Sequence, residues 1–263
     1  MTAVAESLNE PDLQRRFGGV DRLYGAGARE RLAAAHVCIV GIGGVGSWVV
    51  EALARSAVGT LTLVDLDMIA ESNVNRQIHA LGDSFGLAKV SAMAERVRAI
   101  NPTCRVHEIE DFVTADNVAT LLAGSYDYLI DAIDQVRAKA ALIAWWKARG
   151  GAMVTVGGAG GKSDPTRLVV GDLARTEQDP LLAKVRSSLR RDYGFPRGDG
   201  GKFGVPAVYS QEPIRRPAAG DSCAPIAGGL NCAGFGSSVC VTASVGFIAA
   251  AQAIDHLVAT GRC

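Results

Sequence analysis

The first hydrophobic run, HVCIVGIG (36–43), is apolar at nearly every position and rich in β-branched residues, as a parallel strand buried on both faces requires. At GVGSWVVEALARSAVG the pattern changes to a helical period that puts Val45, Val49, Ala52, Leu53 and Ser56 on one face. The alternation continues with a strand over TLTLVDLD (60–67), a helix over 87–100 stopped by Asn101-Pro102, and a strand over CRVHEIED (104–111). A helix over 115–123, a strand over YDYLIDAID (126–134), a helix over 136–149 and a strand over AMVTVGG (152–158) complete it.

Repeated strand–helix units predict right-handed crossovers, and hence an α/β fold with a Rossmann-like, mostly parallel sheet covered by helices on both faces. In such sheets ligands bind beyond the carboxyl ends of the strands. After Gly160 the pattern weakens. TRLVVGDLA reads as a strand and PLLAKVRSSLRRDYG as a basic helix, while 194–232 is Gly/Pro-rich with little periodicity, too long for an idle connection. No charged side chain occurs between Asp221 and Asp255, and 233–254 is long enough to cross a bilayer. Gly, Ser and Thr interrupt its large apolar residues, so the expectation is a terminal helix packed in a core or a dimer interface, not in lipid.

Composition narrows the class. A chain of 263 residues, 48% hydrophobic, can bury the core of one α/β domain. Lys and Arg number 27, as do Asp and Glu, so no global cationic field attracts nucleic acid and any such binding must be local. From Lys184 to Arg216, however, basic residues outnumber acidic ones eight to three. Six cysteines without any CxxC, in several cases within apolar runs, predict a reduced cytoplasmic protein. The N-terminus lacks the apolar core of a signal peptide.

The chemistry is concentrated after the first strand. GIGGVG (41–46) lies between a strand and a helix, where Gly41, Gly43, Gly44 and Gly46 let backbone approach a phosphate and the helix start offers unpaired N–H groups. Alone it predicts a nucleotide without saying which. Asp65 ends the next strand and fits ribose hydroxyls in either an NAD or an ATP site. Asp67, two residues on, would repel a pyrophosphate unless cations intervened, and Asn73, Asn75, Arg76, Gln77 and Lys89 supply donors nearby. In DAIDQVRAK, Asp131 and Asp134 close a strand; Asp134 is either a helix cap or a Mg²⁺ ligand. Two cations and a metal directed at a triphosphate describe nucleotidyl transfer and have no use in hydride transfer.

This order of GxGGxG, DxD, NxxRQ, a Lys leading a helix that ends in NP, and DxxD resembles the ATP-binding core of the ubiquitin-activating-enzyme superfamily, from Arg16 to Gly160. That superfamily adenylates carboxylates. The resemblance implies Asp65 at the ribose, Asp67 and Asp134 at Mg²⁺ and phosphate, and Asn73, Arg76, Gln77 and Lys89 at the triphosphate of ATP. It also offers Arg22 as the arginine that reaches a partner subunit's ATP. Members that activate sulfur carriers hold zinc with two CxxC pairs, which are missing here, so no zinc is expected. RRFGGVDRLYG, NRQIHAL, GLAK, VTVGGAGGKSDPTRL, QDPLLAKVR and NCAGFGSSVCVTASVGF are similar to the bacterial tRNA threonylcarbamoyladenosine dehydratase family along almost the whole chain. That family uses ATP to cyclise a threonylcarbamoyl group on adenosine 37 of tRNA.

The resemblance implies a single domain: an N-terminal arm and helix (1–35), a nucleotide-binding core (36–160) and a substrate-binding and dimerisation extension (161–263). It further implies tRNA carrying threonylcarbamoyladenosine as substrate and a homodimer, and it leaves open whether a monovalent cation is bound near the C-terminal glycines. A cysteine desulfurase system is another implied partner, with Cys223 or Cys232 as sulfur acceptor. The alternatives are adenylation of a ubiquitin-like sulfur-carrier protein, a non-enzymatic acceptor for a desulfurase, and an NAD dehydrogenase.

Overall fold

The computed structural model describes residues 11–198, 201–215 and 235–260. Two helices, α1 (Leu13–Tyr24) and α2 (Ala28–Ala34), precede strand β1 (His36–Val40). The alternating core follows as α3 (Gly46–Arg55), β2 (Thr60–Val64), α4 (Lys89–Ile100), β3 (Arg105–Ile109), α5 (Val118–Leu121), β4 (Tyr128–Asp131), α6 (Val136–Ala148) and β5 (Met153–Val156). Then come β6 (Leu168–Asp172), α7 (Pro180–Asp192), β7 (Pro206–Ser210) and α8 (Val239–Thr260).

The seven strands are ordered β3-β2-β1-β4-β5-β7-β6, all neighbouring pairs parallel except β6 with β7. β1 therefore has β2 on one side and β4 on the other. The crossover reverses between β1 and β4, which opens a crevice at their carboxyl ends.

The central strands β1, β2 and β4 are buried on both faces and share their residues between two cores. Val37 and Ile39 enter the core beneath α2, α3, α4 and α8, whereas Cys38 and Val40 enter the one beneath α5, α6 and α7. Tyr128 and Ile130 alternate with Leu129 in the same way. β3, at the sheet's edge, buries none of its residues fully.

Four expectations change. The predicted strands run two or more residues past the hydrogen-bonded segments, because the apolar turn residues beyond them, such as Ile42, are buried without pairing. The helix over 115–123 shrinks to a single turn. The stretch 194–232, read as aperiodic, contains β7, which inserts between β5 and β6. The terminal helix starts at Val239 and continues past Asp255 to Thr260.

α8 is long and apolar enough to cross a membrane by length and composition. Here it lies against the sheet, burying Val241, Val245, Ile254 and Leu257 together with Ala249, Ala250 and Ala253. Each large aliphatic side chain so buried contributes about 1.5–3 kcal/mol. Small residues between them bring α8 close to its neighbours, which is the arrangement of a core helix.

One ion pair is fully enclosed. Lys139 Nζ of α6 is 3.0 Å from Asp131 Oδ2 at the end of β4, and both side chains are inaccessible. The same ammonium donates to the carbonyls of Ile133 (2.9 Å) and Asp131 (3.2 Å), and Thr155 Oγ1 of β5 donates to Asp131 Oδ2 at 2.6 Å. Lys139→Met removes the partner of a buried carboxylate and is expected to destabilise the fold by about 3–5 kcal/mol in urea denaturation. Adding Asp131→Asn to that variant should recover a large part of the loss, because no buried charge is then left alone.

Candidate functional site

The glycine turn is shaped by backbone contacts that leave no space for side chains. Gly41 has φ +92°, and a Cβ on Gly46 would lie 1.8 Å from the Gly41 carbonyl oxygen. Gly43 differs, since a Cβ there meets nothing within 4 Å. Gly44 lies under Arg76, whose Cγ and Cδ would be 3.2 Å from an added Cβ.

Asp65 fixes this turn from below. Its Oδ2 accepts from the Ile42 N–H at 2.6 Å and its Oδ1 from the Asp67 N–H at 2.9 Å. Burial raises its pKa from the ordinary carboxylate value, opposed by Lys89 and by the two N–H donors. β2 ends at Val64, so Asp65 and Asp67 do not alternate as strand residues do. Asp67 leaves the strand direction, stays 55% exposed, and accepts from Lys89 Nζ at 2.6 Å.

Lys89 starts α4 and is buried along its stem. Arg76 Nη1 donates to the Ser72 carbonyl (2.7 Å) and to Asn75 Oδ1 (2.9 Å), while Trp48 Nε1 donates to the Arg76 carbonyl (2.9 Å). Asn73 Oδ1 accepts from the Ala70 N–H at 3.0 Å and so closes the short turn before Arg76. Gln77 is buried and its Oε1 has no hydrogen-bond partner among the described residues.

These residues surround one cavity of about 490 Å³ at the β1/β4 crevice. Gly41, Gly43, Gly44, Asp65, Asp67, Asn73, Arg76, Gln77, Lys89 and Asp134 all line it. Gly46 does not; its role is to let the turn close. Asp134 is half-buried and stands one residue before Gln135, the cap of α6, which makes no side-chain cap bond. Asp131, expected beside Asp134, is instead buried against Lys139. Arg22 is exposed on α1 and is not among the residues lining the cavity. Cys223 and Cys232 lie outside the described residues.

Four carboxylates, Asp65, Asp67, Asp111 and Asp134, line the cavity. Asp65 is engaged by two main-chain N–H groups and Asp111 by that of Phe112, which leaves Asp67 and Asp134 as the candidate pair, and no cluster of three or more His, Cys, Asp or Glu that could hold a metal is present among the described residues. Such a pair fits Mg²⁺, which takes one or two carboxylates and completes its shell with phosphate oxygens and water. It does not make a cage for a metal alone.

Several participants had no clear signal in the sequence. Ser237 and Thr242, at the start of α8, complete the wall, and Asn75 Nδ2 donates to the Ser237 carbonyl at 3.2 Å. Asp179 caps α7 through the Leu182 N–H and also accepts from the Gly158 N–H, both at 2.9 Å, fixing the loop after β5. His79 is buried beside Lys89 and Arg96, with both ring nitrogens unpartnered among the described residues; burial chiefly, with those cations, lowers its pKa to about 4.

The loop over the far wall is tied by two further groups. Lys162, buried, donates from Nζ to the carbonyls of Gln178 (2.9 Å), Ser210 (3.4 Å) and Glu212. Burial lowers its pKa, with Asp179 and Glu212 opposing. Glu212 in turn accepts from the N–H groups of Asp164 and Ser163, which hold its carboxyl at about 2.

Four of the eight basic residues between Lys184 and Arg216 are engaged within the protein. Arg186 Nη1 donates to Thr176, Arg190 lies 5.3 Å over the Phe203 ring, Arg191 pairs with Asp192 and Arg215 with Glu212. Arg216 lies outside the described residues.

A model of the ThiF family matches residues 16–262. A tRNA threonylcarbamoyladenosine dehydratase of Escherichia coli strain K12 is 51% identical over 94% of this chain and 94% of its own length. One from Haemophilus influenzae is 49% identical over 93% and 94%. The crystal structure of the E. coli tRNA N6-threonylcarbamoyladenosine dehydratase in complex with ATP superposes with a TM-score of 0.86 at 49% identity, over 95% of this chain and 96% of that one.

Gly46→Ala is expected to destabilise the protein severely, since backbone must move from a 1.8 Å contact. Gly43→Ala should leave the melting temperature nearly unchanged and weaken nucleotide binding, because its methyl group projects into open space at the cavity wall. Thermal melting and nucleotide titration of the two variants test the contrast.

Proposed function

Because this chain belongs to the ThiF family, we propose that it carries out the ATP-dependent dehydration of N6-threonylcarbamoyladenosine at position 37 of tRNA to its cyclic form, as a carboxylate-adenylating ligase. The observation that carries the reading is the meeting of a glycine turn, Arg76, Lys89, Asp67 and Asp134 in one cavity. Similarity to tRNA-modifying relatives over nearly the full length favours it over adenylation of a sulfur-carrier protein.

In this reading the triphosphate lies along the glycine turn and the ribose over Asp65, which lines the cavity. Asp67 and Asp134 would hold Mg²⁺, which would supply charge neutralisation at the phosphates. Asn73 closes the turn that presents Arg76, and Asn73 and Gln77 face the triphosphate from the cavity wall. The threonine carboxylate attacks the α-phosphorus, the bond to the bridging oxygen breaks, and pyrophosphate leaves. The carbamoyl group then attacks the acyl carbon, loses its proton, and expels AMP. With the second nucleophile in the same molecule, proximity drives this step without an enzyme thioester.

The obstacle is the approach of two anions. At about 4 Å their repulsion is roughly 4 kcal/mol at an effective dielectric near 20. Lys89 and Arg76 have the sign and position to offset it. Lys89 is held ready by Asp67, so the carboxylate that positions the ammonium is also the one assigned to the metal.

The rest of the reading concerns assembly. The protein is a homodimer located in the cytoplasm, Arg22 reaches the partner's ATP, and residues 161–263 bind substrate and join the protomers. A monovalent cation near the C-terminal glycines and a desulfurase partner belong to the same reading, on segments largely outside the described residues.

Lys89→Ala should keep the fold, since its partner Asp67 is 55% exposed, and should lower turnover by about 10²-fold or more, the scale of one lost charge-stabilising donor. Mass spectrometry of nucleosides from tRNA incubated with enzyme and ATP reads this, and full activity would sink the assignment. Asp134→Asn should raise the Mg²⁺ concentration needed for half-maximal rate. A Mg²⁺ dependence identical to that of the unaltered enzyme would make Asp134 a helix-end residue only.

A further inference from the structure

A nucleotide whose threonyl group enters the cavity remains tethered to phosphates on both sides. On the dehydratase reading, the surface just outside the cavity must therefore receive a sugar–phosphate chain. Among the described residues, the rim continues as a concave path on the side of α6 and α7. The cavity wall includes Gln135 and Ala138 of the α6 start and Leu181 of the α7 start. At the next residue, Val136, begins a groove of about 660 Å³ between α6 and α7. It leads on, through Ala115 and Tyr193, to a hollow of about 700 Å³ beside Trp145, Phe203, Lys147 and Lys202.

The groove has the chemistry of a polyanion track. Its floor is made of small uncharged side chains, Ala115, Ala183 and Ser187, which leave room for a backbone. Arg137 from α6 and Lys184 from α7 both line it, both are exposed, and neither has an ion-pair partner among the described residues. Arg191, also in the groove, is already paired with Asp192 at 2.7 Å. In a chain of zero net charge, two uncompensated cations from separate helices facing one trough mark a local anion site. Trp145 lines the hollow beyond, and Arg149, which does not line it, lies 4.9 Å over the Trp145 ring, a cation–aromatic pair beside which a base can stack.

We propose that the α6–α7 groove is the track for the tRNA strand flanking the modified adenosine, with Arg137 and Lys184 as its phosphate contacts. This rests on the dehydratase reading and places the grip on a pair from two helices at the cavity rim, whereas Arg190 and Arg191 near the end of α7 already have partners within the protein. Phosphate contacts act through counterion release, so each one lost should flatten the log–log salt dependence of binding by about one unit.

The test is tRNA binding by the full chain carrying Arg137→Glu and Lys184→Glu, across a salt series, with Arg105→Glu on the exposed edge strand as control. The double variant should bind tRNA at least about tenfold more weakly at physiological salt and lose about two units of slope. Melting temperature, ATP affinity and sedimentation mass should stay at their original values, and the control should bind as the unaltered protein does. Should the reversed charges impair folding, Arg137→Gln with Lys184→Gln serves for the same slope measurement. Unaltered tRNA affinity, or a weakening matched by the control, overturns the track. A changed sedimentation mass also overturns it, by making the groove a contact between protomers. Formation of cyclic nucleoside by the unaltered enzyme separates the two claims: its absence sinks the dehydratase reading, whereas its presence with unaffected binding by the variant sinks the groove alone.

Discussion

The arrangement around the cavity depends on a charge taken completely out of water. Asp131 ends β4 at the crevice where the sheet's crossover reverses, and Lys139 reaches it from the first turn of α6. Desolvating both groups costs several kcal/mol each, which is recovered only because every polar contact is supplied. Thr155 donates to the carboxylate from β5, and the Ile133 carbonyl accepts a hydrogen bond from the ammonium. With the Ile133 N–H also donating to Asp131 Oδ1 at 3.2 Å, the backbone between strand and helix has one available course. That course delivers Asp134 to the cavity. An apolar pair of the same volume would pack as well, but it would not specify the turn.

The same device recurs around the rim. Asp65, Asp179 and Glu212 each use both carboxylate oxygens, or both lone-pair sets, to hold main-chain N–H groups of loops that have no ladder to pair with. Loops at a ligand site cannot be stabilised by burying large side chains, since the space belongs to the ligand. Charge-assisted hydrogen bonds to backbone stabilise them without filling that space. The cavity is consequently built on rigid turns even where regular structure has ended.

How much of this the sequence disclosed follows from the same physics. β1, β2, β4 and β5 were legible because strands buried on both faces leave continuous apolar runs. β7 was not, since PAVYS is short and follows a dozen residues without period, and only its place between β5 and β6 gives it a partner on each side. The glycine turn, Asp65, Arg76 and Lys89 were found as a spaced motif, and they meet in one cavity because three consecutive strand–helix units end on the same edge. Lys139 escaped notice: among alanines in a helix it reads as a solvated residue, and only its place eight residues after Asp131 hinted at a buried pair. The partners of Arg186, Arg190 and Arg215 come from segments ten residues away, thirteen residues away and three residues away respectively, and charge counting is blind to all of them.

Lys162 shows what a covalent tether does for an ion site. Three main-chain carbonyls converge on its ammonium, from the loop before α7 and from the end of β7 and just beyond. Carbonyl oxygens gathered in this way are the surroundings that a hydrated alkali ion would otherwise be recruited to fill. An ion drawn from solution occupies such a cage in proportion to its concentration and exchanges with its competitors. A cation carried on the chain does neither. Its local concentration is set by four methylenes and is indifferent to dilution, to chelators and to the balance of sodium and potassium. The wall of the cavity that Lys162 braces is thereby insulated from the ionic medium in which the charged substrates arrive.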